Sequence, residues 1–510
     1  MSSRIALLGL DIGTTSCKVV CYTPEGTRIT QAATDYHLSF PQPGWAELAP
    51  EAVLSAVKHV FTQVAPDLAG FERLALAISA QGEAFVLVDG DGHALAPAPV
   101  SMDTRGLEAI TAMKADDAAA QAAETAGQEL NALTSLAKLL WFRDAPDGPL
   151  ARADKALCMG EFVMRSLGLN PVIDYSMAAR MGLLDIQRRS WSTDLLAAAG
   201  LSSDLLPPVA PSGRYVGTVP AERMAAFGLD LAVEFYSGGH DQACAMLGAG
   251  VTEAASALYS VGTTEAIAIP AEEISHSLEG LHISPYPHVV EGRDILLFGS
   301  QHGGRVLSWL AGLLGQSGTP ALLDDLPDAP STSIVVPHLA GSGTVLADDG
   351  ARGLILGLDY ATTSGSLAFA ALEGVTMEQA LALQRLKDRG MGITGLRAVG
   401  GGTRSDVWMQ MKADILGLPI DCLDEPDTAC AGAAVLAGLG AGAFTSAEAA
   451  AGRFTGVRRR FEPQPSEHQV YALKLALYEQ AYQAAATLRP LLQDVERAVQ
   501  RLAEERKEKQ

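Results

Sequence analysis

The sequence predicts an α/β protein built from two related domains, and three observations carry that reading. Strand-like apolar runs alternate with helix-like amphipathic stretches along the whole chain. At 510 residues it is too long for one hydrophobic core. The tripeptide Gly13-Thr14-Thr15 returns at Gly262-Thr263-Thr264, each time between two strand-like runs, as a duplicated domain would give. The boundary falls near residues 245–256, just after SGGHDQACAMLGAG, so domains are expected over 1–250 and 251–490, with a charged helical tail over 491–510.

The elements follow in order. IALLGLDIG, then SCKVVCYT, then a turn at Pro24-Glu25-Gly26 predict a β-hairpin at the edge of a sheet. Residues 257–269, ALYSVGTTEAIAI, repeat the strand, tight turn and strand. Thr428 to Phe444 carry no charge but are rich in Ala and Gly, which predicts a tightly packed buried helix and a Gly-rich turn, not a membrane span. From about residue 466 the apolar residues recur at helical spacing, and the final RLAEERKEKQ is expected to fray into solvent.

Composition excludes several classes. Apolar residues make up 48% and charged residues 19%, as in a globular chain. A net charge of −22 argues against nucleic acid, whose phosphates need a basic face. The six cysteines form no C-x-x-C pair and no zinc-spaced cluster, so a reduced, cytoplasmic protein is expected, with Cys244 a buried small hydrophobe. The opening MSSRIALLGLDIG is too short an apolar run for a signal peptide and is interrupted by Asp11, and no membrane partner is expected.

Three segments can carry chemistry. In GLDIGTTSCK, Asp11 ends an apolar strand, where a carboxylate is costly to bury unless a cation or hydrogen bonds compensate. Gly13, Thr14 and Thr15 form a turn that can cradle phosphates, or an ordinary hairpin turn with a capping Asp. In SGGHDQACAMLGAG, small residues let the backbone approach a ligand, and Asp241 either serves that ligand or caps the following helix. In VGGGTRSDVWMQMKADILGLPI, the glycines at 400–402 form a strand-to-helix turn suited to a nucleotide, or a tight βα loop. No Walker P-loop occurs, and Gly390, Gly392 and Gly395 precede a strand, the wrong context for a dinucleotide site.

These segments, in this order, resemble the FGGY carbohydrate kinases over residues 5 to about 485. PGWAELAP, SMDTR with Ser101 in place of a Trp, Lys138 and Trp141 of SLAKLLWF, DYSMAARMGLLD and ARGLILGL resemble further segments of that family. The resemblance implies an α/β fold of two actin-like ATPase (ribonuclease H-like) domains with ATP in the cleft between them. It implies that Asp241 is the catalytic base, and that Asp11 and Asp241 face magnesium. Gly13, Thr14, Thr15, Lys18, Gly262, Thr263 and Thr264 would face the ATP phosphates, and Gly304, Ser308, Gly401, Gly402 and Asp406 the rest of the nucleotide. Gln81, Glu83, Asp103, Asp241 and Gln242 would bind a small sugar or polyol, and a homodimer is open.

The sugar is not named by these motifs. Xylulokinases usually carry Q-M-H-G and glycerol kinases Q-R-E-T where this chain has Gln81-Gly82-Glu83-Ala84. Leu133 stands where glycerol kinases place a substrate-facing Tyr. A pentulose such as xylulose and a small polyol both stay open, and a sensor of the same fold without turnover is the competing reading.

Overall fold

The strand Ile5–Ile12 is buried along almost its whole length, which requires neighbours on both edges and cover on both faces. In the computed structural model it has them. The strand pairs antiparallel with Ser16–Tyr22 and parallel with Arg73–Ala80. The hairpin expected at a sheet edge therefore lies inside a six-stranded sheet, ordered Tyr215–Val219, Val233–His240, Arg73–Ala80, Ile5–Ile12, Ser16–Tyr22 and Arg28–Asp35. The structure describes residues 4–508 apart from 146, 273–277, 279, 284, 301, 317, 320, 321, 324, 325, 328, 345 and 349.

A second sheet repeats the first. Ser256–Val261 pairs antiparallel with Glu265–Ala271 across the second Gly-Thr-Thr turn and parallel with Gly395–Val399. Ile420–Leu423 continues the parallel set, and Val457–Phe461 closes that edge antiparallel. Asp294–Ser300 and Pro285–Pro287 complete the other edge, for seven strands. Each Gly-Thr-Thr turn thus joins the same two positions of two like-ordered sheets, as duplication predicts.

Two helices link the halves. Asp241–Gly248 follows the first sheet directly, and Thr428–Gly440 lies between the strands Ile420–Leu423 and Val457–Phe461 of the second. Both are buried in the core of the first half, although the second comes late in the chain. They cross at glycines: a Cβ on Gly432 would stand 1.9 Å from the Cys244 carbonyl oxygen, and one on Gly248 2.0 Å from that of Thr428. Side chains there would force the helices apart. Among the described residues no helix is long and apolar enough to cross a membrane, in line with the packed helix read from the sequence. The C-terminal helix Pro465–Glu508 does not fray where expected but runs through the charged segment to Glu508.

Candidate active site

The first turn is held by short hydrogen bonds. Gly13 N–H donates to the Ser16 carbonyl at 2.9 Å, and Thr14 Oγ1 donates to Gln81 Oε1 at 2.9 Å, while Gln81 Nε2 returns to the Gly13 carbonyl at 3.2 Å. Thr15 is exposed at its tip. Asp11, on the strand below, accepts a 2.6 Å bond from Ser79 Oγ. Burial nevertheless pushes its carboxyl up to about 7 against the pull of that bond, and the charge of Asp241 adds to the rise.

Asp241 opens its helix, and both of its hydrogen bonds fall on Oδ1: His240 Nε2 lies at 2.9 Å and Gln242 N–H donates at 2.6 Å. His240 Nδ1 lies 3.1 Å from Tyr286 Oη on the second sheet. Burial alone would raise the Asp241 carboxyl, but His240 and Arg180 outweigh it and hold it below the ordinary carboxylate range. Asp241 is therefore ionised at neutral pH, as a proton acceptor must be.

Arg180, whose charge acts on Asp241, lines a cavity of 460 Å³ between the halves, with Glu83, Ser101 and Leu133 on the same side and Thr264 and Phe298 among others on the other. Arg180 forks onto Glu83, with Nε donating to Oε1 at 2.5 Å. Glu83 has φ 66°, a left-handed conformation that costs a non-glycine residue about 1–2 kcal/mol. The Arg180 pair and a 2.7 Å bond from Ser135 Oγ to the Glu83 carbonyl hold it there.

A second cavity of 650 Å³ is lined by Gly262, Thr263, Gly304, Ser308, Gly401, Gly402, Arg404 and Trp408, among others. The helix Gly304–Leu313 points its first N–H groups at the turn, with Gly304 N donating to the Gly262 carbonyl at 2.8 Å. Under the turn, Lys412 Nζ donates to both Glu265 carboxylate oxygens at 2.7 Å and to Tyr259 Oη at 2.8 Å, with Lys412 and Glu265 side chains fully buried. This ion pair ties the strand after the turn to the helix Asp406–Leu416 that follows the glycines.

Comparison with known proteins decides the family. Residues 6–248 match the N-terminal domain of the FGGY family of carbohydrate kinases, and residues 257–441 match its C-terminal domain. The chain belongs to this family. Its members are phosphotransferases. A xylulose kinase of Bacillus subtilis is 27% identical over 93% of this chain and 96% of its own length. A glycerol kinase of Oleidesulfovibrio alaskensis is 30% identical over 92% and 97%. The crystal structure of a xylulose kinase from Rhodospirillum rubrum superposes with a TM-score of 0.84 at 27% identity, covering 95% of this chain and 99% of that one. The two-domain actin-like fold of the FGGY kinases is thereby this chain's fold.

Within this FGGY kinase the structure sorts the residues singled out from sequence. Gly262, Thr263, Gly304, Ser308, Gly401 and Gly402 share one cavity, whereas Thr264 faces the other. Asp406 pairs with Arg459 and lines a separate cavity of 280 Å³. Lys18 is hydrogen-bonded to Asp427. Gln242 lies near the second sheet, its Oε1 3.5 Å from Ser260 Oγ. Asp103 is 1% exposed, and its two oxygens accept from Arg105 and from the Ala46 N–H. The Arg105 guanidinium lies over Trp45 at 4.0 Å, and Trp45 meets Trp141 edge-on at 5.1 Å. Lys138 donates to the Ala132 and Leu133 carbonyls at 2.5 and 2.8 Å. Three of the resembling segments thus form one knot behind the 460 Å³ cavity.

Sequence reading singled out neither Arg180 nor Tyr286. Arg180 stood in the quoted segment DYSMAARMGLLD as a lone cation in an apolar run, a signal that could have raised it. Tyr286, between two prolines on an edge strand, carried no such signal.

Proposed function

We propose that this FGGY kinase transfers the γ-phosphoryl group of ATP to a hydroxyl of a small neutral ketose or polyol, with a pentulose such as xylulose the leading candidate, and that Asp241 is the base. The observation that carries this is the ionised Asp241 carboxylate within electrostatic reach of Arg180, which with Glu83 lines the 460 Å³ cavity. Both of its hydrogen bonds use Oδ1, so Oδ2 is left to accept the proton of the attacking hydroxyl. His240, with Nδ1 3.1 Å from Tyr286 Oη and Nε2 2.9 Å from Asp241 Oδ1, links the second sheet to the carboxylate and fixes its orientation.

Glu83 supplies a carboxylate that accepts hydrogen bonds from adjacent hydroxyls, and Arg180 supplies donors to the same diol. Three carboxylates, of Glu83, Glu129 and Glu265, and the Arg180 guanidinium line the cavity, a net negative balance that suits a neutral polyhydroxylated substrate and disfavours a sugar acid. The 650 Å³ cavity, with its two glycine-lined walls, suits the nucleotide.

Asp11 and Asp241 also fit a magnesium ion: burial first, and then the nearby Asp241 charge, raise the Asp11 carboxyl, and a bound cation would offset both effects. Bound there, the ion would neutralise charge on the transferring phosphoryl group. All six cysteines are free and buried, which supports the reading of a reducing, cytoplasmic compartment.

The test is Asp241→Asn assayed by ADP release against a panel of ketoses and polyols. Turnover is expected to fall by about 10²–10⁴ with the melting temperature and nucleotide binding kept. A variant that retains more than roughly a tenth of turnover removes Asp241 as the base.

A further inference from the structure

The C-terminal helix Pro465–Glu508 has 44 residues and so extends about 66 Å. Its first half belongs to the body of the protein. Tyr471, Tyr478 and Ala481 are buried in the core of the second half, and Lys474 donates to Glu373 at 2.6 Å. The last tie is Arg489, whose Nη1 donates to Asp348 Oδ1 at 2.8 Å. Every residue from 490 to 507 is exposed.

That free half is not polar all round. Leu488, Leu491, Val495, Val499 and Leu502 are 49–64% exposed, and Leu473, back along the same helix, is 76% exposed. At about 100° of rotation per residue, these six side chains fall within an arc of about 80°, a stripe broken by Pro490 inside the helix and, at Ala481, by the core. Leu488, Leu492, Val495, Val499 and Leu502 are spaced four, three, four and three apart, the seam of a coiled coil. A helix of this length without tertiary contacts is marginal in water, so a covered seam is what would hold it helical.

We propose that the stripe pairs with the same stripe of a second copy of this chain. Charge favours that occupant. The chain carries −22 overall, so two copies repel over most of their surface. Residues 489–508 carry five Lys or Arg and five Asp or Glu, a net charge of zero, so here two copies meet without that penalty. A neutral stripe is also self-complementary, as a two-fold interface requires, and it lacks the basic face that would hold it to an anionic lipid surface. From Leu473 to Leu502 the stripe is about 45 Å long and about 10 Å wide, on the order of 450 Å² per copy. That is below the roughly 800 Å² per partner of a standard interface, so the dimer dissociates on dilution.

The experiment is sedimentation velocity on the full chain from about 0.1 to 100 μM, beside Val495→Glu/Val499→Glu and a chain ending at Arg489. The full chain is expected to shift from monomer to dimer within that range. Both altered chains should stay monomeric, with unchanged kcat and melting temperature, because residues 490–507 touch neither the core nor the two cavities. A full chain that is monomeric throughout overturns the proposal, and so does a dimer that either altered chain retains, which would place the contact on another face. A full chain that stays monomeric but sediments with added anionic vesicles assigns the stripe to a lipid surface instead and also overturns it. The phosphotransfer reading stands or falls separately, on kcat of the monomeric variants.

Discussion

Arg180 and Glu83, 97 positions apart in the chain, form one forked ion pair inside the 460 Å³ cavity. Arg180 brings a cation onto Glu83 from a distant segment, while the residue directly before Glu83 is Gly82. A side chain at Gly82 would crowd Arg180 and the His240 beside Asp241: a Cβ there would stand 3.0 Å from His240 and 3.3 Å from Arg180.

Arg180→Ala therefore leaves Glu83 buried without its cation. kcat/KM for the sugar is expected to fall on the order of 10²-fold, while the KM for ATP changes little. Arg180→Lys should recover only part of it, because an ammonium cannot reproduce the planar fork. Steady-state kinetics with each substrate varied in turn decides it; equal losses for sugar and ATP would place Arg180 outside sugar recognition.

Lys412→Ala strands the Glu265 carboxylate in the core. A stability loss of about 3–5 kcal/mol is expected from the urea midpoint. Lys412→Met/Glu265→Gln removes both charges and should recover more than half of it. A single variant within about 1 kcal/mol of the parent would show that water reaches the pair.

Glu161 is buried, and burial, reinforced by the charge of Asp174, pushes its carboxyl up to about 8 from an ordinary value of 4.5. The folded chain holds a proton there that the unfolded chain releases near 4.5. The stability linked to it is full below that value and is lost as pH rises through about 8. Glu161→Gln should melt above the parent at pH 8–9, and the gap should close toward pH 5. Parallel melting curves over pH 5–9 would mean that Glu161 titrates normally.

Gly432→Ala should destabilise by about 1–3 kcal/mol, because its methyl group would overlap the Cys244 carbonyl. Gly452→Ala, where nothing lies within 4 Å, should be neutral or slightly stabilising. Equal effects in thermal melts would mean that the helix pair adjusts freely.

The repeated Gly-Thr-Thr turn made the duplicated sheets legible, because a two-strand turn is a local object written in consecutive residues. The central position of the hairpin was not legible, since the partner strand Arg73–Ala80 lies some sixty residues on. The 650 Å³ cavity was largely readable for the same local reason: its glycines at 262, 401 and 402 stand in short runs of consecutive residues, Gly-Thr-Thr and Gly-Gly-Gly. The 460 Å³ cavity was not, because Arg180, Glu83 and Tyr286 come from three separate segments and meet only through the fold. Asp103 and Lys138 drew notice as charged residues in ordered motifs, yet their bonds run to neighbouring backbone and side chains, which only coordinates reveal.

The helix Thr428–Gly440 sits in the core of the first half although it is encoded after most of the second. During synthesis, the first 250 residues emerge from the ribosome with a groove beside Gly9 and Gly248 that nothing yet fills. That half cannot complete its interior until Gly440 has been made, so the two halves mature together, and a nascent chain stalled before that point exposes apolar surface to chaperones.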